Sequence, residues 1–132
     1  MKKHGFLSAP VAELIALMGH TDRLIICDAG FPVPPSVPRI DLAITRNLPT
    51  LLDVLRVLLD DLAVERFVVA SELQEVSPRR YAEILDLLPG VPHDLVSHVD
   101  FKRSAREVRG VIRTGDFVPY SNIVLVAGVV YG

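Results

Sequence analysis

Met18-Gly19-His20-Thr21-Asp22-Arg23-Leu24-Ile25-Ile26-Cys27-Asp28-Ala29-Gly30-Phe31-Pro32 is the stretch on which the fold turns. Leu24 to Cys27 is an unbroken apolar run, and such a run reads as a strand buried on both faces, the mark of a sheet covered by helices on either side. Gly19 is placed to end a preceding helix. His20 then falls in the turn that enters the strand, and Asp28 falls where the strand runs out. Two titratable groups therefore bracket one rigid element.

Working outward, Ser8-Ala9-Pro10 supplies an N-cap and a first-turn proline. Val11, Leu14, Ile15, Leu17 and Met18 follow at helical spacing. Beyond Asp28, residues 29–38 carry four prolines. A polyproline recognition segment has this composition, but so does a stiff, irregular loop leaving the carboxyl end of a strand, where α/β proteins build their sites. Arg39 to Ile44 alternates polar and apolar residues and predicts a strand. Pro49-Thr50 opens a helix expected to run to Leu62, with Asp53, Arg56, Asp60 and Asp61 on its wet side. Phe67 to Ala70 is a second buried strand, and Ser77-Pro78 starts a helix that Pro89-Gly90 stops. Residues 93–97 predict a short strand with His98 at its end. Residues 99–112 predict a helix with Phe101, Ala105, Val108 and Ile112 inward and Lys102, Arg103, Arg106 and Arg109 on a basic face. Ile123 to Ala127 is the last strand.

Strands and helices alternate, so the fold class is α/β: one three-layer domain over residues 1–132, with a central mixed or parallel sheet between helices. Half the residues are hydrophobic and the mean hydropathy is +0.38. For a chain this short, that predicts apolar surface covered between subunits, hence a homo-oligomer. A net charge of −2 gives no electrostatic footprint for nucleic acid. A single cysteine excludes an intramolecular disulfide and fits a reducing cytoplasm. No run approaches membrane-spanning length, and the first residues carry no signal-peptide core. The expected address is the cytoplasm.

Several constellations are missing. There is no G-x-G-x-x-G, no P-loop, no G-x-S-x-G elbow and no Cys/His cluster at zinc spacing. No cofactor and no metal are expected, although His20, Asp28 and His98 form a competing ligand set without a metal's spacing. What remains is a group of polar residues at strand ends: His20, Asp28, His98, Tyr120 and Asn122. Each alone has a structural explanation as a cap, a turn former or a packing group. Asn122 precedes its strand, so it shares an edge with Asp28 and His98 only if the last strand runs antiparallel to the others. Histidines titrate near neutral pH and move protons there; Asp, Asn and Tyr are ordinary partners of sugar hydroxyls.

Gly19-His20-Thr21-Asp22, Cys27-Asp28-Ala29-Gly30-Phe31-Pro32-Val33-Pro34, Arg39-Ile40-Asp41-Leu42-Ala43, Arg113-Thr114-Gly115-Asp116 and Pro119-Tyr120-Ser121-Asn122-Ile123 closely resemble the D-ribose pyranase family, in order and at compatible spacing. The related L-fucose mutarotases share the Gly-His-x-Asp and Tyr-x-Asn-Ile elements. Ala29-Gly30-Phe31-Pro32, and His98 followed by Phe101-Lys102, point to the ribose branch. The segment from Glu65 to Val96 matches loosely.

The resemblance implies an intramolecular isomerase that interconverts the pyranose and furanose forms of D-ribose and feeds ribose catabolism. It places the proton donor on His20 and substrate contacts on Asp28, His98, Tyr120, Ser121 and Asn122; Lys102, one helical turn after His98, is expected to join them. It also implies a homo-oligomer of pentamers stacked into a decamer, with sites near subunit boundaries. Mutarotation of another sugar and non-catalytic sugar binding are the alternatives. His20 and Asp28 are eight positions apart, which on one straight strand is more than 20 Å, about 26 Å at about 3.3 Å per residue. Either the Thr21-Asp22 turn folds His20 back, or His20 serves a neighbouring subunit's site; the second is favoured.

Overall fold

The computed structural model describes residues 1–131. Among them the chain forms, in order, α1 (Ala9–Leu17), β1 (Arg23–Cys27), β2 (Arg39–Asp41), α2 (Leu51–Leu59), β3 (Val64–Ala70), α3 (Ser71–Val76), α4 (Pro78–Leu87), β4 (His93–Val96), α5 (His98–Ser104), a 3-10 turn (Ala105–Glu107), β5 (Val111–Arg113) and β6 (Ile123–Ala127). The strands make one sheet in the order β2-β5-β1-β6-β3-β4. β5 pairs in parallel with β1 and with β2, and β4 in parallel with β3. β6 lies antiparallel between β1 and β3, with Ile26 opposite Ile123 and Phe67 opposite Leu125.

Side chains alternate across the sheet, and each face has its own cover. Leu24 and Ile26 of β1, Phe67 and Val69 of β3 and Leu125 of β6 pack with Val11, Leu14, Leu55, Leu58 and Ile84 of α1, α2 and α4. Ile25, Cys27, Val68 and Val124 face the other way, onto Phe101 and Ala105 and onto Phe31 and Val37 of the proline-rich segment. That segment is thus a stiff cover for the second face. β1 is buried on both sides, as its apolar run predicts, and burial pushes the Cys27 thiol up to about 12.

The helix starts follow their caps. Ser8 Oγ accepts from Val11 N at 3.5 Å. Thr50 and Asp53 form a reciprocal capping box, Asp53 N donating to Thr50 Oγ1 at 3.3 Å and Thr50 N donating to Asp53 Oδ2 at 2.8 Å.

Three expectations are corrected and one element is new. α2 stops at Leu59 instead of Leu62, because the chain must turn to enter β3 at Val64. The strand expected from Arg39 to Ile44 ends at Asp41, where it loses its partner β5. Residues 99–112 are not one helix: α5 ends at Ser104 and Val111–Arg113 is a strand. Ile112 is inward, as predicted, but in the sheet beside the equally buried Val111, where two β-branched residues fit. α3 was not foreseen, since Leu73 is its one buried residue and six residues leave no readable period.

Gly115 is required by close approach. A Cβ there would lie 2.2 Å from the Thr45 carbonyl oxygen. The 113–116 turn is therefore clamped to the 45–49 segment, where Gly115 N donates to Pro49 O at 2.9 Å.

Candidate active site

Because every strand but β6 points the same way, the loops after β1, β3, β4 and β5 emerge at one edge of the sheet. The antiparallel β6 brings the segment before it, Pro119 to Asn122, to that same edge, which meets the condition set by the sequence. A cleft of about 510 Å³ opens there between Asp28, Phe31, His98, Lys102, Pro119 and Tyr120.

Asp28 is locked by Asn122. Asp28 N donates to Asn122 Oδ1 at 2.8 Å, and Asn122 Nδ2 donates back to Asp28 Oδ2 at 3.3 Å. Gly30 N donates to Asp28 Oδ1 at 3.0 Å. Burial raises the Asp28 pKa above the ordinary carboxylate value, the Gly30 and Asn122 hydrogen bonds pull against it, and the nearby charge of Asp116 raises it further. A carboxyl in this setting holds its proton to a higher pH than a solvated one.

His98 is the first residue of α5, which Ser97 caps by accepting from Asp100 N at 3.1 Å. Its backbone N–H is shared by both oxygens of Glu72, at 3.1 and 3.0 Å. The ring stands edge-on to Tyr120, with centroids 5.0 Å apart, and completes a triangle with Phe31 and Phe101, each 6.4 Å away. Among the described residues its buried Nδ1 has no hydrogen-bond partner. Burial lowers the His98 pKa below the usual 6.5, the charge on Lys102 adds to this, and Glu72 partly offsets it. At neutral pH the ring is an uncharged imidazole, able to accept a proton at one nitrogen. Lys102 lines the cleft one helical turn further on.

Tyr120 is held in the left-handed region at φ +62°, unusual for a bulky residue and a mark of a constrained position. Ser121 and Asn122 are buried. The Ser121 hydroxyl does not line the cleft. It donates to Asp116 Oδ2 at 3.3 Å and accepts from an Arg80 nitrogen at 2.9 Å, and so turns inward, away from the cleft.

His20 lies at the opposite edge. Its Nε2 is 3.1 Å from Glu65 Oε2 at the start of β3, and both side chains are about half exposed. Thr21 N donates to Ala127 O, at the far end of β6, at 2.8 Å. The turn does not fold His20 back, and the chain brings together Asp28, His98, Lys102, Tyr120 and Asn122 without His20. For the same reason the chain does not gather His20, Asp28 and His98 around an ion, and among the described residues there is no other group of three or more His, Cys, Asp or Glu arranged to hold a metal.

A second, more open groove of about 600 Å³ shares Asp28 and Gly30 with the cleft and continues over Ile44, Arg46 and Phe117. The Arg46 guanidinium sits 4.8 Å above the Phe117 ring. Ile44, Phe117, Val130 and Tyr131 are strongly exposed apolar side chains.

Three residues of the site escaped the sequence reading: Arg80, Asp116 and Glu72. Asp116 lies in a quoted motif to which the sequence assigns no role. Arg80 was legible only through its helical phase, four residues before the buried Ile84, which turns it inward while its neighbour Arg79 faces solvent.

Fold and cleft together define an α/β protein with a polar, aromatic-walled cleft at the carboxyl edge of a mixed sheet. The chain belongs to the RbsD / FucU transport protein family, whose model matches residues 1–130. It is 47% identical over 131 residues to a D-ribose pyranase of Coprothermobacter proteolyticus, covering 99% of this chain and 100% of that one. A D-ribose pyranase of Laribacter hongkongensis is 45% identical with the same coverage. Among solved structures, Bacillus subtilis RbsD complexed with D-ribose superposes with a TM-score of 0.95 at 39% identity, over 99% of this chain and 100% of that one. A fucose mutarotase from Streptococcus pneumoniae in complex with L-fucose shares the fold, with a TM-score of 0.79 at 17% identity over 99% of this chain and 100% of that one. No helix among the described residues is long and apolar enough to cross a membrane.

Proposed function

We infer that the protein is a D-ribose pyranase, an intramolecular isomerase that interconverts the pyranose and furanose forms of D-ribose. The observation that carries this reading is the convergence of Asp28, His98, Lys102 and Tyr120 on one cleft in a chain 47% identical, end to end, to a D-ribose pyranase. The reaction needs a proton delivered to the ring oxygen and one removed from the anomeric hydroxyl. The open-chain aldehyde then rotates, and a different hydroxyl closes the new ring. No redox step is involved, and the proton transfers ask only for positioned acid and base groups, each contributing roughly 10²–10⁴-fold.

His20 is the acid. It reaches the cleft from a neighbouring copy, because its own subunit holds it at the other edge of the sheet. Asp28 accepts from a sugar hydroxyl while Asn122 fixes its orientation. Tyr120, Asn122 and Lys102 hold the remaining hydroxyls, and the uncharged His98 imidazole receives a hydroxyl proton, the second carrier in the cycle. Ser121 supports the two residues beside it. The working unit is a ring-forming homo-oligomer, a pentamer or a decamer of stacked pentamers, and the exposed Ile44, Phe117, Val130 and Tyr131 are apolar surface that such an assembly covers. The protein acts in the cytoplasm on ribose entering catabolism.

NMR exchange between the pyranose and furanose signals of D-ribose tests the reading. Wild-type protein is expected to accelerate exchange, and His20→Ala to abolish the acceleration. Ribose binding without faster exchange would mark a non-catalytic sugar-binding protein instead, and acceleration confined to L-fucose would mark a mutarotase.

A further inference from the structure

Arg80 has no part in the steps above, yet it is a cation buried beneath the residues that take them. Its side chain is 10% exposed. From α4 it donates to Asp116 Oδ2 and, at 2.9 Å, to the Ser121 hydroxyl; Glu83 approaches its other side at 3.5 Å. Asp116 is the hub of this cluster. Its Oδ2 also accepts from Leu51 N at 2.8 Å, and its Oδ1 accepts from Val118 N at 2.9 Å. Its backbone oxygen accepts from Ala29 N, next to Asp28, at 3.0 Å. One ion pair thus touches both sides of the cleft: the Asp28-Ala29 corner and the Tyr120-Ser121-Asn122 turn.

A buried ion pair is a poor device for stability alone, since well-packed apolar residues of similar volume often do as well or better. Its placement suggests a different use. Ser121 separates the two residues that face the sugar and clasp Asp28, and Tyr120 needs external support in its left-handed conformation. Asp116 also brings a second carboxylate towards Asp28, and Arg80 is the charge that neutralises it.

We propose that Arg80 is a positioning residue of this cleft, acting through Asp116 and Ser121 to set both the Tyr120–Asn122 turn and the charge that Asp28 experiences. The activity arm of the test rests on the isomerase reading; the titration arm does not. The other groups facing Asp28 are the Asn122 amide, His98, Lys102 and Tyr120 across the cleft, and Arg113. The Arg113 Nε donates to Ala29 O at 3.1 Å while its Nη1 pairs with Asp41 at 2.8 Å. These stay constant in the comparison.

The experiment follows the side-chain carboxyl carbon of Asp28 by NMR titration in the full-length protein. In Arg80→Gln the Asp28 midpoint is expected to rise by about 0.5 to 1 pH unit, and in Asp116→Asn it is expected to fall by a similar amount. Arg80→Lys keeps the charge and is expected to titrate close to wild type. Ser121→Ala removes the link to the turn but keeps the charges, so the titration stays put while KM for ribose rises roughly three- to tenfold at constant kcat. Shifts of one sign in Arg80→Gln and Asp116→Asn, or Arg80→Lys behaving as Arg80→Gln, would overturn the proposal. Should Arg80→Gln fail to fold, Asp116→Asn decides: an unmoved Asp28 midpoint refutes the role, and a downward shift supports it. If wild-type protein does not speed ribose exchange, the isomerase reading falls and the titrations still judge Arg80.

Discussion

The two edges of the sheet are built in opposite ways. At the carboxyl edge, polar groups are buried or half-buried and cross-linked: Asp28 to Asn122, Glu72 to the start of α5, Arg80 to Asp116 and Ser121. At the amino edge, His20 and Glu65 meet in solvent, Asp22 pairs with an exposed Arg109 at 3.2 Å, and Val129 to Tyr131 extend outward. The first edge is preorganised for a ligand, since its groups need no rearrangement to present their hydrogen bonds. The second has the character of a surface whose final surroundings come from elsewhere. A half-exposed His20 is what the proposed donor to another subunit's cleft requires.

The strongest way to break this contrast is complementation. His20→Ala and Asp28→Asn are each expected to lose activity, by roughly 10²–10⁴-fold for the proton donor. Mixed oligomers of the two variants are expected to regain part of it, because shared sites pair an intact His20 edge with an intact Asp28 cleft. No recovery after verified subunit exchange would return His20 to its own subunit.

Next in size is Phe101→Ala. Phe101 is fully buried under the cleft and edge-on to Phe31 at 5.7 Å, so its loss is expected to cost about 3–5 kcal/mol, read from urea midpoints. A loss below about 1 kcal/mol would show the carboxyl edge to be looser than its packing indicates.

The third concerns pH. His98 is depressed below 6.5 in the folded protein. On descending from neutral pH, the unfolded chain therefore binds this proton first, and between 6.5 and the lower folded value the unfolded state carries more protons. The stability His98 contributes is full above that window and is lost as pH falls through it. Urea midpoints at pH 7.5 and 5.5 should differ more in wild type than in His98→Gln; equal differences would contradict the assignment.

The smallest effect is expected at the amino edge. Glu65→Gln removes an exposed pairing with His20 and should change stability by no more than about 0.5 kcal/mol.

Much of this architecture was legible in the sequence where burial is two-sided or a cap is explicit. Leu24–Cys27, Phe67–Ala70 and Ile123–Ala127 read as strands because they are apolar without a break, and α1, α2 and α4 announce themselves by Ser8, Thr50 and Pro78. β5 did not, because Val111–Arg113 is too short to show a period and follows directly on helical spacing. The cleft was legible as a set of polar residues at strand ends, but its assembly was not. Whether Asn122 joins Asp28 depends on the direction of β6, which no local pattern encodes. The inward turn of Ser121 and the meeting of Arg80 with Asp116 depend on contacts 36 or more positions apart, which hydrophobic periodicity does not report.

β6 also sets an order of events. It is the seam between two parallel blocks, β2-β5-β1 and β3-β4, and it lies near the end of the chain. Synthesis proceeds from the amino terminus, and pairing of distant segments waits until both exist. Asp28 belongs to one block and His98 to the other, so the ribosome must deliver residues 123–127 before the two halves of the cleft can be joined. A nascent chain lacking that strand carries nearly every residue needed to grip a sugar but lacks the strand whose hydrogen bonds join the two blocks.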